Sequence, residues 1–314
     1  MSTSTPQAVA TPDDVVEQPR RQRRPRKSAA GNAARAVTSP WASLVAVIIA
    51  ALWTVPTLGL LITSFRRQID IQRSGWWTVF TDPGELTLAN YKEALTGGST
   101  GLGQFFVNTV VITIPAVLLP LLLASLAAYA FAWMDFPGRN TLFVAVFALQ
   151  IVPLQVALIP LLDIYVNTLH LANTYWSVWL SHTIFALPLA IFLIHNFMKE
   201  IPKELLEAAR VDGAGHVRVF FQLLLPLLTP ALAAFGIFQF LWVWNDLLVS
   251  LVFLGGTPDV APLTVRVAEL SGTRGNAWFL LSAGAFISMV VPVAVFLALQ
   301  RYFVRGLLAG GLKG

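Results

Sequence analysis

The chain has 314 residues, of which 56% are hydrophobic and only 12% are charged, a balance that excludes an ordinary soluble domain and fits helices lying in a bilayer. The net charge of +5 is local, because Arg20, Arg21, Arg23, Arg24, Arg26, Lys27 and Arg35 alone exceed it, so it points to no nucleic-acid binding by the body of the chain. There is no cysteine, which excludes disulfides, zinc–thiolate sites and thiol nucleophiles.

Residues 1–40 are rich in Ser, Thr, Pro, Ala and Arg and nearly free of large apolar side chains. Such a segment buries too little surface to offset its ordering entropy, so it reads as a disordered basic arm, held on the cytoplasmic side and touching anionic lipid. No apolar stretch directly follows the arginines, which argues against a secretory signal. A first span runs from about Trp41 to Thr63, with no charge between Arg35 and Arg66. The polar segment 64–104 places Trp76 and Trp77 where a membrane–water interface suits them, and Asn90–Leu95 reads as a short interfacial helix.

A second span covers about Phe105 to Trp133, and Pro115 and Pro120 predict a bend in it. The third runs roughly from Thr141 to Leu162, with Pro153 and Pro160, and the fourth from Tyr175 to Phe197. A fifth is predicted from Pro226 to about Phe253, then a loop from Gly255 to Asn276, a sixth span from about Trp278 to Leu299, and a tail from Arg301 to Gly314. Six spans put both termini on one side. With the N-terminus inside, inner segments hold 15 Lys and Arg and outer ones six, so the positive-inside rule sets both ends in the cytoplasm. The expected architecture is an all-α, multi-pass membrane protein with six transmembrane helices.

Between the fourth and fifth spans lies a charged island, eight charges in the 20 residues from Lys199 to Arg218. Ile201, Leu205 and Ala208 recur at helical spacing, Pro202 suits a first turn, and Gly213 and Gly215 break the helix. Ala208, Ala209 and Gly213 leave a surface poor in side chains that another backbone can approach. Polar groups within the spans are Asn108, Gln150, Gln155, Asp163, Gln239, Asn245 and Asp246. Such groups are costly in a bilayer and invite a functional reading. Asp163 and Asp246 fall near span ends, as solvated or helix-packing groups. Gln150 and Gln155 either line a polar route for a hydroxylated solute or hydrogen-bond between helices, and Gln239 is a further candidate for that route. His170, His182, His195 and His216 show no metal-ligand spacing, no catalytic cluster is visible, and no Gly-x-x-x-x-Gly-Lys-Ser/Thr run would cradle a phosphate.

The run Glu207-Ala208-Ala209, then Gly213, then Leu223 and Leu225-Pro226 resembles the EAA loop of permease subunits in binding-protein-dependent ATP-binding-cassette importers, with Leu223 where that family prefers Ile. The resemblance extends over about residues 41–314. Phe105-Phe106-Val107-Asn108-Thr109 resembles the start of the family's MetI-like core domain, here 105–300, and Trp244-Asn245-Asp246 its fifth-span motif. The ending Gln300–Gly314 is similar to maltose-type sugar permeases of the α-glucoside branch. The resemblance implies a type I importer permease in a bacterial or archaeal cell membrane, with no nucleic-acid partner. Its cargo would be a carbohydrate, an α-glucoside or related oligosaccharide, or else another small polar solute.

It further implies that Glu207, Ala208, Ala209, Asp212, Gly213, Gly215, Leu225 and Pro226, within a loop at 199–226, couple to an ATPase dimer. ATP and Mg would be held by that partner, and this chain would carry no cofactor, metal or catalytic residue. Gly310, Gly311 and Lys313 would reach the ATPase as a pliable tail, unless they are a frayed basic end. Arg266, Glu269 and Arg274 would contact an extracytoplasmic solute-binding protein, and a second permease subunit would complete a heterodimer. A secondary transporter is the rival class; it expects acids at mid-depth and activity without ATP.

Overall fold

The computed structural model describes residues 40–97, 101–272 and 277–311. The basic arm, Arg274 and Lys313 lie outside the described residues. The chain divides into two units, residues 1–56 and 57–314. The described part of the first is the opening of α1 (Pro40–Ser64), whose residues 40–56 are exposed and mostly apolar, as a lipid-facing helix requires.

In the second unit the helices follow in order. They are α2 (Gln68–Arg73), α3 (Ala89–Thr96), α4 (Leu102–Trp133), α5 (Arg139–Ile151), α6 (Leu154–Thr168), α7 (Tyr175–Lys199) and α8 (Lys203–Val211). After these come α9 (His216–Leu227), α10 (Thr229–Trp244), α11 (Leu248–Leu254), α12 (Leu263–Ser271) and α13 (Trp278–Gly311). Among the described residues there is no strand beyond one isolated bridge, Arg66 with Leu86.

Four unbroken helices, α1, α4, α7 and α13, are long and apolar enough to cross a membrane, and the number rises to six if two bent pairs each count as one span. The third predicted span crosses the first of these breaks, and the fifth, predicted from Pro226, begins at the second. α5 and α6 meet at 99°, because Val152 precedes Pro153 and takes an extended conformation, as a residue before proline must. α9 and α10 meet at 72°, where Pro230 opens α10 and cannot continue the helix before it. The helix predicted to run on to Phe253 stops at Trp244, and α11 restarts after Asp246. The stretch 255–276 expected as a loop contains α12. The interfacial helix expected at Asn90–Leu95 is α3.

α4 and α7 touch through alanines four apart: Ala124 and Ala128 on one, Ala186 and Ala190 on the other, all buried. Small residues at that spacing let two backbones approach where lipid provides no hydrophobic force between helices. Prolines create a second bond between elements. A proline has no N–H, so the carbonyl four residues earlier loses its helical donor. Pro115 frees Val111, whose carbonyl accepts Trp179 Nε1 of α7 at 3.1 Å. Pro120 frees Ala116, whose carbonyl accepts Gln239 Nε2 of α10 at 3.1 Å. Pro292 frees Ser288 on α13, and Trp244 Nε1 of α10 donates to it at 3.0 Å. Thus α7, α4, α10 and α13 are joined in series by donors placed at proline-freed carbonyls.

Beyond α1 a polar clamp holds the segment 66–97. The buried Arg66 pairs with Glu85 at 2.6 Å and also donates to the Ser74 and Asp70 carbonyls and the Thr78 hydroxyl. Asn90 donates to the Ser64 and Arg66 carbonyls at 2.9 and 2.7 Å. Gly59 leaves room for Trp76, whose indole nitrogen would lie 2.7 Å from any Cβ there. Trp77 is exposed.

Two outcomes follow for the detergent-solubilised protein. Glu85→Ala strands a buried guanidinium and costs about 3–5 kcal/mol in a denaturant titration. Gln239→Leu orphans the Ala116 carbonyl and costs about 1–3 kcal/mol. Adding Pro120→Ala supplies a new N–H for that carbonyl, so the double variant recovers most of the loss.

Candidate functional site

The turn after α8 is built from backbone geometry. Gly213 has φ +80°, a conformation that residues with a Cβ enter at a cost. Its amide donates to the Arg210 carbonyl at 3.0 Å, and the Ala214 amide reaches back to Ala209 at 2.9 Å. This is a Schellman motif, which closes a helix on a glycine and satisfies its last carbonyls. A Cβ built on Gly213 meets nothing within 4 Å, so the residue serves the turn's conformation, and the surface around it is open.

α8 is anchored from beneath. Leu206 is 2% exposed and enters the core of α4, α7 and α9, with Ala209 and Ala214 packed beside it. This corrects the stripe of Ile201, Leu205 and Ala208: Leu205 and Ala208 face outward, because the inward face follows Leu206 and Ala209. The outward face carries Leu205, Ala208 and Val211 at intervals of three, and Val211 is 87% exposed. Glu207, Asp212, Gly213 and Gly215 share that exposure. Past the turn, His216 Nδ1 and the Tyr129 hydroxyl share a 2.6 Å hydrogen bond, which pins α9 to α4. Val219 and Phe220 are buried at once after it. Leu225 is half-buried and Pro226 exposed, farther along α9. A small, open, partly apolar surface therefore rides on a turn fixed to the bundle from both sides.

The other end of α7 lies about 37 Å away at 1.5 Å per residue. There Asn108 uses all its amide capacity. It donates to the carbonyls of Pro258 and Ala261, both at 2.9 Å, and accepts from Gln104 and Tyr175, both at 2.9 Å. Thr109 Oγ1 accepts the Leu263 amide at 2.8 Å, at the start of α12. The Asn-Thr pair thus fastens α12 and the loop before it onto α4. On α12, Arg266 pairs with Glu269 at 2.7 Å and lies over the Phe105 ring, so it is partly engaged within the chain, whereas Glu269 is exposed. Nothing in the sequence marked Tyr175 for this role, whereas Asn108 and Thr109 close the motif that begins at Phe105.

The remaining candidates separate. Asp246 accepts from the amides of Val249 and Ser250 and the Ser250 hydroxyl, which makes it the cap of α11, and His182 Nε2 approaches it at 3.6 Å. Asp163 accepts from Asn167, and Asn245 donates to the Leu241 carbonyl. Gln150 sits at the α5–α6 bend between two adjoining cavities of about 400 and 200 Å³. Gln239 lines the smaller one, whereas Gln155 is exposed beyond the bend and lines neither. Gly310 and Gly311 continue α13 as helix. Among the described residues no group of His, Asp or Glu is arranged to hold a metal.

Residues 116–308 match the sequence profile of a family described as the binding-protein-dependent transport system inner membrane component. An osmoprotective compounds uptake permease protein, GgtD of Synechocystis sp. (strain ATCC 27184 / PCC 6803 / Kazusa), is 55% identical over 84% of this chain and 89% of its own length. The alpha-glucoside transport system permease protein AglG of Rhizobium meliloti (strain 1021) is 52% identical over 74% of this chain; the match spans 62% of that relative, under two thirds of its length. Among solved structures, a chain of a bacterial ABC transporter involved in the import of the acidic polysaccharide alginate superposes with TM-score 0.70. It is 19% identical and covers 88% of this chain and 98% of its own, a likeness of fold.

The turn gives a direct expectation. Gly213→Asn is tolerated, because Asn enters the left-handed region at small cost, whereas Gly213→Val places a β-branched residue there at about 1–2 kcal/mol or more. Hydrogen exchange at the Ala214 amide should speed up about tenfold in the Val variant and little in the Asn variant.

Proposed function

The chain belongs to the family of binding-protein-dependent transport system inner membrane components, and from that premise we propose that it is a permease subunit importing a neutral carbohydrate or related polyol, driven through α8 by a separate ATPase. As a family member it is a multi-pass membrane transport component. Residues 105–300 form its translocating core in this reading.

The observation that carries the coupling role is the outward stripe Leu205, Ala208 and Val211 on a helix whose other face is locked by Leu206. Exposed apolar and small side chains beside open glycines suit close docking of a partner. The anchorage beneath them converts a push on α8 into movement of α4, α7 and α9. Glu207, Ala208, Ala209, Asp212, Gly213 and Gly215 form the docked surface, and Leu225-Pro226 leads it into the bundle. Charge bias sets this end and both termini in the cytoplasm, where an ATPase pair is accessible. At the opposite end α12, presenting Glu269 paired with Arg266, faces a solute-binding protein, and Arg274, outside the described residues, is assigned to the same contact. A second permease completes the path, and Gly310, Gly311 and Lys313 reach toward the ATPase.

The carbohydrate assignment draws on the alpha-glucoside relative and on cavities lined without a charged side chain. The relative named for osmoprotective compounds supports a second reading, a small compatible solute. A charged or zwitterionic solute would need counter-charges that these cavities lack.

The test is Gly213→Asp. Asp also tolerates the left-handed conformation, and its side chain has open space, so insertion and the turn survive. A charge on the docking face should cut uptake by the reconstituted complex about tenfold or more and abolish stimulation of ATP hydrolysis by the loaded binding protein. Wild-type uptake in that variant contradicts the coupling role.

A further inference from the structure

We propose that the paired cavity at the α5–α6 bend is a cargo site in this subunit that takes one ring of a neutral sugar, resting on the permease reading above. The cavities meet at Gln150, Phe185 and Trp242, which line both. The larger, about 400 Å³, falls within the range of about 300–1,000 Å³ usual for small-molecule sites.

Three observations point to the ligand. First, Gln239 is 0% exposed, lines the smaller cavity, and leaves its Oε1 without a partner while its Nε2 is committed to the Ala116 carbonyl. A buried acceptor left open is costly, and a hydroxyl donor entering the cavity removes that cost. Secondly, Gln150 and Gln155 are exposed on either side of a bend whose neighbours Ile151, Val152 and Val156 are all apolar. An amide turned to hydrocarbon costs roughly 2–7 kcal/mol, so this face looks onto water or cargo. Thirdly, the walls present the rings of Trp242, Phe185 and Phe238 and no ionised group.

Flat aromatic faces match the C–H face of a pyranose. The amides of Gln150 and Gln239 match its hydroxyls, since an amide offers both donors and acceptors. The absence of charge selects against carboxylated or ammonium solutes, whose desolvation nothing here would offset. Trp242 also forms a T-shaped pair with His182, ring centroids 5.3 Å apart, which restrains the indole. The cavity lies beside the kink that separates α5 from α6, so closure of that bend would change its volume.

The native chain lacks cysteine, so Ala157→Cys, on the wall of the larger cavity and outside the proposed contacts, gives this chain a unique thiol. The whole complex, with ATPase, second permease and binding protein, is placed in nanodiscs and trapped with vanadate. It is then treated with a charged, membrane-impermeant thiol reagent in the presence of trehalose, sucrose, maltose or glycine betaine. The expected result is labelling from water that one or more of the neutral sugars slows at least about fivefold and glycine betaine does not. Adding Trp242→Ala should weaken that protection about tenfold, the size of a lost stacking contact, and Trp242→Phe should restore most of it. Labelling that no sugar slows, or no labelling at all because lipid or another subunit covers the bend, overturns the site. ATP hydrolysis stimulated by loaded binding protein is read in the same preparations before vanadate is added. Stimulation without protection overturns the cargo site and leaves the permease reading standing. No stimulation in the unsubstituted complex overturns both.

Discussion

A bilayer supplies no hydrogen-bond donors, and this constraint governs the whole molecule. Its long apolar helices contain prolines, and each proline in a helix interior releases a carbonyl that lipid cannot satisfy. At Pro115, Pro120 and Pro292 the structure answers with side-chain donors from neighbouring helices: Trp179 for Val111, Gln239 for Ala116 and Trp244 for Ser288. Each repair is also a bond between elements. Through these three bonds α7, α4, α10 and α13 form a linked series. The same requirement explains why Asn108 is saturated with partners and why the buried Arg66 is surrounded by acceptors.

A linked bundle can receive force only where its surface is both fixed and open. α8 meets both conditions. Leu206 sinks into the core, the Tyr129–His216 bond holds the outgoing chain, and the Schellman turn at Gly213 avoids a frayed end. Small residues then do two separate jobs that composition alone merges. Gly213 supplies a backbone conformation, whereas Ala208 keeps the outward face low. At the other end, Asn108 and Thr109 hold α12 to α4, so the surfaces of α8 and α12 are joined through α4 and α7.

Much of this was legible in the residues. Hydropathy located the four unbroken helices and the two bent pairs that are apolar enough to cross a membrane, and the spacing from Glu207 to Pro226 located the exposed turn and its glycine. Direction was not legible. Hydropathy counts apolar residues without regard to where the axis points, so the 99° and 72° bends do not show in it, although Pro153 and Pro230 mark the places. Leu205 and Leu206 are adjacent, and periodicity cannot choose between them without the packing beneath. The partners of the proline-freed carbonyls depend on which helices meet, so Gln239 stood as a path residue with no sign of its structural bond. α12 was hidden because a short amphipathic helix among polar residues has the composition of a loop.

The central claim is that α8 meets an ATPase with its outward stripe. Single cysteines from Lys203 to Arg218, introduced into this cysteine-free chain and probed with a bifunctional thiol reagent against the ATPase in the assembled complex, test it most directly. The account predicts cross-links at Leu205, Ala208 and Val211 and none at Leu206. Cross-linking without that periodicity, or labelling of these positions from the outer face of the membrane, would contradict it.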